Sequence, residues 1–250
     1  MTTLLTMKGF NKQAQPVTTA WIYHSPDLWL ISLSSDGSTW ITIADKNLGA
    51  TQVYEDGDTM SEANCWKFYQ RWNNYGFPFT WAVTTSSTRV NASTYWPWNY
   101  YNSSTFIIGS NSWDNSNNTD LWWWDTWTAT AMQWPCQSNY HVPDKDELDW
   151  LKDIMTALSI DTSNWNCMKT YLKMPFAGKR GYSNSNIVSQ DVEWLYWSTI
   201  AYSTLAYGLD WTSSSFSQPW YRRAEWLTLR PFANTPVQPD DSRTVLYPTN

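Results

Sequence analysis

Cysteine and histidine are the side chains that most often act as nucleophiles and metal ligands, and this chain has three cysteines and two histidines. Cys65, Cys136 and Cys167 show no CxxC spacing, so a zinc site is not expected. The segments "NCWK" and "NCMK" place no His–Asp pair beside a thiol, which disfavours a cysteine nucleophile. His24 and His141 are far apart in the chain, and His141 is expected to be a structural hydrogen-bonding residue. The sequence therefore predicts no metal, no cofactor and no catalytic residue.

The sequence also has no motif typical of nucleotide binding, nucleic-acid binding or membrane insertion. The chain has no GxGxxG, P-loop or GxSxG motif, and the glycines of "AGKRGY" (177–182) indicate a turn. The net charge of −6 and the absence of a basic run argue against nucleic acid and anionic membranes as partners. No apolar segment approaches the roughly 20 residues of a membrane span, so direct membrane insertion is not expected. Residues 1–17 also lack the features of a secretory signal.

A helix start explains the acidic cluster between residues 144 and 149. Asp144 can cap the helix, and Glu147 completes a capping box just after Pro143. Apolar residues at helical spacing then predict one buried stripe on a helix over 144–158. These residues are Leu148, Leu151, Ile154, Met155 and Leu158. Trp150 falls on the polar face, where a large aromatic side chain gains little.

The other segments predict short strands joined by polar loops. "WITIADKNLGAT" (40–51) predicts a strand and a turn, and residues 65–85 predict aromatic extended segments. Residues 171–232 have the pattern of β-hairpins. The expected fold class is α+β, with short antiparallel strands, one clear amphipathic helix and long polar loops. Residues 1–19 are expected to be an N-terminal extension, and the Pro- and Asp-rich residues 235–250 a tail or linker.

The balance of tryptophan and glycine is unusual. The chain has 21 tryptophans and only nine glycines, about half of the usual glycine share of roughly 7%. The segment "DLWWWDTWTATAMQWPC" (120–136) crowds tryptophan among Asp, Thr and Pro, where glycine normally forms turns. Tryptophan thus stands at positions where turn geometry favours glycine.

Several motifs in a fixed order resemble one protein family. They are "ITIADKNLGATQVY", "ANCWKFYQRWNNYGFPF", "YHVPDKDELDWL", "LKMPFAGKRGY", "YWST" and "RRAEWLTLRPFAN". Over about residues 20–234 the chain resembles the C-type-lectin-fold variable proteins of diversity-generating retroelements. These are related to bacterial major paralogous domains and share the fold of formylglycine-generating enzymes. The resemblance implies one C-type-lectin-like domain over 20–234, in which the strand near "WITIAD" lies close to "LTLRPF".

The same resemblance explains the tryptophan excess. Many tryptophans of this chain stand where the family has glycine: Trp66, Trp72, Trp81, Trp96, Trp98, Trp123, Trp124, Trp127, Trp134, Trp150 and Trp226. Some bacterial lineages translate UGA as glycine, so our hypothesis is that these letters arise from UGA-glycine recoding. Four others match family tryptophans and are expected to be genuine: Trp40, Trp113, Trp122 and Trp197.

In these variable proteins a retroelement replaces adenines near the 3′ end of the gene, chiefly in Asn codons, and the altered residues line a ligand-binding face. Asn is absent between Asn186 and Asn234, and residues reachable from Asn codons are frequent there. Good hairpin formers would give a similar composition, so this alternative stays open. The candidate variable region is 200–227. Its candidate ligand-binding residues are Ile200, Tyr202, Ser203, Thr204, Tyr207, Asp210, Thr212, Ser215, Ser217, Tyr221, Arg222, Glu225 and Leu227.

The function implied is that of a non-enzymatic, receptor- or adhesin-like protein at a bacterial or phage surface. Its ligand would be a protein or glycan on another cell or phage, and its location extracellular or at the cell surface. An undiversified adhesion domain and, less favoured, a formylglycine-generating-type enzyme are the alternatives. The chain lacks the calcium and sugar triplets of true C-type lectins, so calcium-dependent sugar binding is not expected. Cys65 and Cys136 stand at family cysteine positions, which implies a disulfide between them and a free Cys167.

The resemblance also yields an exposure pattern for the variable region. Eight residues are expected to be largely exposed and clustered: Tyr202, Tyr207, Asp210, Ser217, Tyr221, Arg222, Glu225 and Leu227. Five others are expected to be buried scaffold: Ala206, Leu209, Trp211, Ala224 and Leu229.

Overall fold

The computed structural model describes residues 21–25, 28–65, 67–71, 73–79, 82–91, 102–115, 135–157, 166–212, 215–238 and 245–246. Within these residues, short and mostly antiparallel strands form four sheets, accompanied by two helices. This architecture agrees with the expected α+β class. Neither described helix is long and apolar enough to cross a membrane.

The strands and helices follow one another along the chain in this order: β1 (Trp21–Ser25), β2 (Leu30–Ser34), β3 (Ile41–Ala44), β4 (Lys67–Gln70), β5 (Gly76–Pro78), β6 (Thr84–Ser86), β7 (Thr105–Ile107), β8 (Tyr140–His141), α1 (Lys145–Ala157), α2 (Asn166–Leu172), β9 (Lys179–Arg180), β10 (Ile187–Val188), β11 (Trp194–Tyr202), β12 (Leu205–Trp211), β13 (Phe216–Ser217), β14 (Trp220–Arg222), β15 (Trp226–Leu227), β16 (Phe232–Ala233) and β17 (Val245–Leu246). The short helix α2 was not expected from the sequence.

The largest sheet brings the two ends of the described chain together. Its strand order is β17-β1-β2-β3-β16-β8. Phe232 of β16 pairs with Ile43 of β3, which confirms that the "WITIAD" strand lies beside the end of "LTLRPF". Ile22 pairs with Leu246, so two residues of the segment expected to be a tail belong to this sheet.

Helix α1 forms as its sequence predicts. The Asp144 side chain accepts a hydrogen bond from the Glu147 amide at 2.8 Å, and the Glu147 carboxylate accepts one from the Asp144 amide at 3.0 Å. This reciprocal pair is the predicted capping box. Four of the five stripe residues are buried, namely Leu148, Leu151, Ile154 and Met155, and Leu158 lies outside the described residues. The helix packs against β2 and β11.

Trp150 departs from its expected position on the polar face of α1. Its side chain is half-buried and packs against the main core cluster, which contains the stripe residues of the helix. The prediction of a polar position was therefore wrong. An indole is large enough to reach apolar neighbours at the border of the helix's buried stripe.

The prediction of a disulfide between Cys65 and Cys136 is also wrong. Cys65 and Cys136 are both free and buried. Cys65 packs with Phe68 and Phe77, whereas Cys136 belongs to a different cluster around Trp113 and Trp197. Each thiol acts as a small apolar core side chain.

His141 joins three elements through its two ring nitrogens. Its Nε2 lies 2.8 Å from Glu147 Oε1, at the start of α1, and its Nδ1 lies 2.8 Å from Asn234 Oδ1, just after β16. Burial opposes protonation of the ring, but the hydrogen bond and charge of Glu147, with smaller contributions from Asn234 and Asp144, outweigh it and raise the pKa of His141. The charged imidazolium therefore stabilises the junction of β8, α1 and β16.

This junction predicts a pH dependence of stability. Because the folded-state pKa of His141 is raised, its contribution is fully present below the unfolded value of about 6.5 and declines as pH rises through the folded value. We expect the difference in free energy of unfolding between the natural chain and His141→Gln to be largest near pH 6 and to shrink toward pH 9. Urea unfolding over this range measures it, and a difference that grows with pH would contradict the assignment.

Trp226 is packed more tightly than an aromatic core normally allows. Its side chain in β15 is fully buried, and its ring centroid lies 3.6 Å from that of Phe77 and 3.7 Å from that of Phe106. Aromatic pairs usually keep about 4.5–7 Å between centroids. Its indole N–H also finds no acceptor among the described residues. This position therefore holds an overfilled core.

Relief of this overpacking predicts an unusual mutational effect. We expect Trp226→Gly to destabilise the fold by clearly less than about 3–5 kcal/mol, the usual cost of truncating a buried tryptophan, because relief of about 1–3 kcal/mol of overpacking offsets the loss. The matched control is Trp197→Gly, because Trp197 is equally buried but donates a 2.7 Å hydrogen bond to the Tyr69 carbonyl; that variant should unfold at a lower temperature. Calorimetry that finds both variants destabilised alike would refute the overfilled core.

Candidate ligand-binding surface

The candidate variable region is built on one small sheet. Strands β11 and β12 form a hairpin in which Tyr202 pairs with Leu205, across a two-residue turn at Ser203 and Thr204. Strand β12 also pairs with β14 at one end and with β13 at the other. β12 is therefore the central strand of this sheet, between β11 on one side and the short strands β13 and β14 on the other.

Alternation along β12 divides this sheet into two faces. Tyr207 pairs with Trp220, and Leu205 pairs with both Tyr202 and Arg222, so these five side chains share one face. Side chains of the opposite face, such as Ala206, join the core cluster around Trp197. Leu209 and Trp211 lie on the same face as Tyr207, further along β12, and are buried in the cluster that contains the stripe of α1. The expected scaffold residues are all buried, as predicted: Ala206, Leu209, Trp211, Ala224 and Leu229.

Three aromatic side chains on the first face form what we call the aromatic patch: Tyr202, Tyr207 and Trp220. Tyr202 is 72% exposed and Trp220 is 45% exposed, while Tyr207 is half-buried. The Trp220 ring packs edge-to-face with Tyr207, with centroids 4.9 Å apart, and lies 6.4 Å from Tyr202. Such rings present a large, rigid contact area with few rotatable bonds.

Polar side chains of helix α1 border the aromatic patch. Lys145 Nζ lies 5.9 Å from the centroid of the Tyr207 ring and pairs with Asp149. Gln218 Nε2 donates a 2.8 Å hydrogen bond to the same carboxylate. The patch thus has a polar rim that includes residues far from the candidate variable region in sequence, which is the usual anatomy of a binding surface.

Three residues expected to be exposed are buried instead. Tyr221 is 8% exposed, Glu225 is 7% and Leu227 is 0%. Successive side chains of a strand point to opposite faces, so Tyr221 must point inward if Trp220 and Arg222 point outward. Leu227 lies in β15, a strand of the neighbouring sheet that pairs with β4 and β9. The prediction of exposure is wrong for these three residues.

Tyr207, Arg222 and Asp210 are half-buried, so of the eight residues expected to be exposed only Tyr202 and Ser217 are largely exposed. Asp210 and Ser217 pair on the face opposite Tyr207, so the expected cluster of all eight on one face is also wrong.

Tyr221 and Asp210 bind each other rather than solvent. The Tyr221 hydroxyl donates a 2.7 Å hydrogen bond to Asp210 Oδ2. Burial and the neighbouring Asp210 carboxylate raise the pKa of Tyr221, and burial raises the pKa of Asp210 against the effect of that hydrogen bond. The ring lies against Gly208, where a Cβ atom would stand 2.9 Å from Tyr221 Cδ2 and 3.0 Å from the Tyr196 carbonyl oxygen. This pair is a structural element of the sheet.

Thr212, Ser215 and Glu225 also use their polar atoms within the fold. Thr212 Oγ1 lies 2.9 Å from Ser215 Oγ and accepts a 3.1 Å hydrogen bond from the Ser215 amide, closing the loop after β12. The Glu225 carboxylate pairs with Lys179 Nζ at 3.3 Å and accepts a 3.2 Å hydrogen bond from the Arg222 amide.

The remaining candidates are accessible. Ile200 is 38% exposed. Ser203 and Ser217 are exposed and Thr204 is half-buried. Arg222 is half-buried, and its guanidinium lies 4.1 Å from the centroid of the Tyr182 ring. Asp210, expected to be largely exposed, is half-buried by its pairing with Tyr221.

The hairpin of β11 and β12 is held from below by buried Arg71. Its guanidinium donates hydrogen bonds to the carbonyls of Ser198 and Thr199, where a β-bulge interrupts the pairing of β11. The side chain is fully buried beneath Trp197, whose ring centroid is 5.9 Å away. The carbonyls at the β-bulge thus accept hydrogen bonds from a residue outside the hairpin.

A second buried arginine holds the hairpin tip. Arg223 Nη1 donates a 2.8 Å hydrogen bond to the Ser203 carbonyl, and the Arg223 amide donates a 3.1 Å bond to the Thr204 carbonyl. Its Nη2 pairs with the carboxylate of Asp114, which also accepts a 3.0 Å bond from Ser112 Oγ. Burial lowers the pKa of Arg223 to about 10, with Asp114 opposing the shift, so the guanidinium stays charged at neutral pH.

The described thiols do not have the environment of reactive cysteines. Burial raises the pKa of Cys65 to about 12, and burial raises the pKa of Cys136. A reactive cysteine needs a lowered pKa and access to solvent. Among the described residues, no group of His, Cys, Asp or Glu side chains is arranged to hold a metal ion.

Trp220 is the member of the aromatic patch that sequence reasoning missed. The signal was present, because strict alternation across "WYRR" allows either Tyr221 or its two neighbours to face outward. Selecting adjacent Tyr221 and Arg222 as exposed broke that rule. The buried partners carry no local sequence signal, since Arg71 lies 127 residues from Ser198 and Asp114 lies 109 residues from Arg223.

Comparison of the chain with family models, with curated proteins and with solved structures gives no match. Inference about function therefore depends on the residues and the geometry of this surface.

Proposed function

We propose that this chain is a non-enzymatic ligand-binding protein that contacts its ligand through the aromatic patch and the hairpin tip. The observation that supports this most directly is the edge-to-face cluster of Tyr202, Trp220 and Tyr207, in which Tyr202 is 72% and Trp220 45% exposed. A folded protein exposes clustered aromatic side chains at the cost of hydrophobic burial, so such clusters commonly mark interaction sites.

The fold in this proposal is C-type-lectin-like, and residues 200–227 are diversified by a retroelement. The pairing of β3 with β16, which joins the two ends of the domain, supports this fold. The accessible positions Ile200, Tyr202, Ser203 and Thr204 support diversification at the hairpin tip. The burial of Glu225 and Leu227 confines the proposed ligand contacts to the part of the region before residue 223.

The partner in this proposal is a protein or glycan on the surface of a cell or phage, met outside the cell or at its surface. Tyrosine and tryptophan with small hydroxyl residues form the typical composition of binding loops that accept varied ligands. A rim that includes α1 would enlarge the contact toward the roughly 800 Å² per partner of an ordinary protein interface.

UGA-glycine recoding belongs to the same proposal. The overfilled core around Trp226 supports it, because glycine there would remove the ring that lies 3.6 Å from Phe77 and 3.7 Å from Phe106, whereas these two rings are an ordinary 6.1 Å from each other. Trp29, which is not among the family glycine positions, has a φ of 58° in the left-handed region that favours glycine. The other proposed glycine positions, apart from Trp150, lie outside the described residues.

The two alternative functions predict different features of the structure. An undiversified adhesion domain would use the same aromatic patch with one fixed sequence. A formylglycine-generating-type enzyme would need reactive thiols in a cleft, which the burial and raised pKa of Cys65 disfavour.

Sequencing the gene and its surroundings tests this proposal. We expect a second, imperfect copy of the codons for residues 200–222, next to a reverse transcriptase gene, with differences confined to adenines of that copy. The codons for residues 30–44, which encode β2 and β3, are the internal control and should have no such copy. Absence of the copy would favour the adhesion domain, and UGG at codon 226 would reject recoding at that position.

A further inference from the structure

We infer that ligand specificity resides in five side chains, Tyr202, Ser203, Thr204, Tyr207 and Trp220, and that Arg71 and Arg223 are the positioning residues that let these five vary. We call these five residues the free set. This inference rests on the proposed binding function and separates, within the candidate variable region, five positions that contact ligand from five that maintain the fold.

Side chains of the free set contribute little to the fold. Within the described part of the chain, the hydroxyls of Ser203 and Thr204 form no hydrogen bond, although both residues accept bonds through their carbonyls. The rings of Tyr202, Tyr207 and Trp220 pack on one another, and Lys145 of α1 lies beside the half-buried Tyr207 ring. Substitution at exposed sites without such structural contacts usually changes stability by less than about 0.5 kcal/mol.

Another five residues of the same region, the committed set, use their side chains to hold the sheet: Asp210, Thr212, Ser215, Tyr221 and Glu225. Tyr221 binds Asp210 at 2.7 Å, Thr212 binds Ser215 at 2.9 Å, and Glu225 pairs with Lys179 at 3.3 Å. Removing one member of a buried polar pair leaves the other unsatisfied, which costs about 1–3 kcal/mol; this applies to the part-buried Tyr221–Asp210 and Glu225–Lys179 pairs, whereas the exposed Thr212–Ser215 bond closes a loop at a smaller cost. Variation at these positions is therefore expected to unfold the sheet before it changes the ligand.

The turn between β11 and β12 explains why Arg223 matters for variation. Ser203 has a φ of 53°, a left-handed conformation that two-residue hairpin turns require and that residues other than glycine rarely adopt. Such strain persists only where the surroundings fix the backbone. Arg223 binds the carbonyls of both turn residues through its guanidinium and its amide. The turn is thus fixed by a partner outside it, whichever side chain occupies position 203.

Arg71 has the same role at the other end of the exposed segment. Its guanidinium binds the carbonyls of Ser198 and Thr199, and the Thr199 amide donates a 2.8 Å bond to the Pro143 carbonyl before α1. The backbone from residue 198 to residue 204 is therefore fixed at both ends by groups that lie outside the free set. Specificity can change while the scaffold stays constant.

Two matched libraries of the full chain, displayed on yeast, test this inference. One randomises the free set and the other the committed set, with five positions each. Folding is scored as resistance to added protease, and binding is selected on immobilised streptavidin as the probe. We expect protease-resistant clones to be about tenfold more frequent in the free-set library, and we expect streptavidin binders to come from that library alone.

A third library places the randomised free set in an Arg223→Lys chain. Lysine keeps the charge but cannot hold a carbonyl and a carboxylate in the geometry of a guanidinium. We expect Arg223→Lys with the natural free set to stay protease-resistant, and its library to lose most resistant clones and all streptavidin binders. Unchanged tolerance in this library would overturn the positioning role of Arg223.

Equal folding of the first two libraries, binders from the committed set, or a folded free-set library without any binder would each overturn the assignment of specificity. None of these results bears on the presence of a template copy beside the gene. Failure of this inference is therefore distinguishable from failure of the proposed function.

Discussion

Buried guanidinium groups bound to backbone carbonyls are the constraint on which this fold depends. Arg71, Arg223 and Arg230 are each at most 1% exposed. Burial lowers the pKa of Arg71 and of Arg230. Removing a charge from water is costly unless hydrogen bonds compensate it. In this protein, backbone carbonyls outside regular strand pairing accept hydrogen bonds from the guanidinium groups and compensate for their removal from water.

Each arginine joins segments that are distant in sequence. Arg230 donates to the carbonyls of Ala44 and Lys173 at 2.7 and 2.8 Å, linking the large sheet to the end of α2. Gln70, next to Arg71, adds bonds to the carbonyls of Ile107 and Ala224. The short strands of this protein could not hold such irregular connections through pairing alone. Hydrogen bonds from side chains to the backbone therefore fix connections that longer strands would otherwise fix through pairing.

The arrangement separates stability from surface chemistry. Arg71 and Arg223, which fix the hairpin of β11 and β12, are buried, while Tyr202 and Trp220 of the aromatic patch are exposed. A rigid support under a few rigid aromatic side chains lowers the entropy cost of binding. This separation is the physical basis for proposing one face that changes and one scaffold that does not.

Local signals predicted much of this fold. The capping box at Asp144, the apolar stripe of α1 and the strands around β3 and β12 follow from spacing and alternation that neighbouring residues contain. The pairing of β3 with β16 was implied by family resemblance.

Contacts between residues far apart in the sequence could not be predicted from the sequence. No local pattern places Asp114 against Arg223, or separates Cys65 from Cys136. The errors at Tyr221, Glu225 and Leu227 have one cause. Composition suggested a continuous binding segment, whereas alternation and a change of sheet after Arg222 place these side chains inside.

Amide hydrogen exchange across residues 198–205 tests the central claim most directly. If buried arginines hold the hairpin, its amides in the natural chain are protected far more than in an unstructured loop. In Arg223→Lys, protection should then fall at residues 202–205 while β1, β2 and β3 exchange as before. Unchanged protection of the hairpin in that variant, or rapid exchange of the hairpin in the natural chain, would contradict the account.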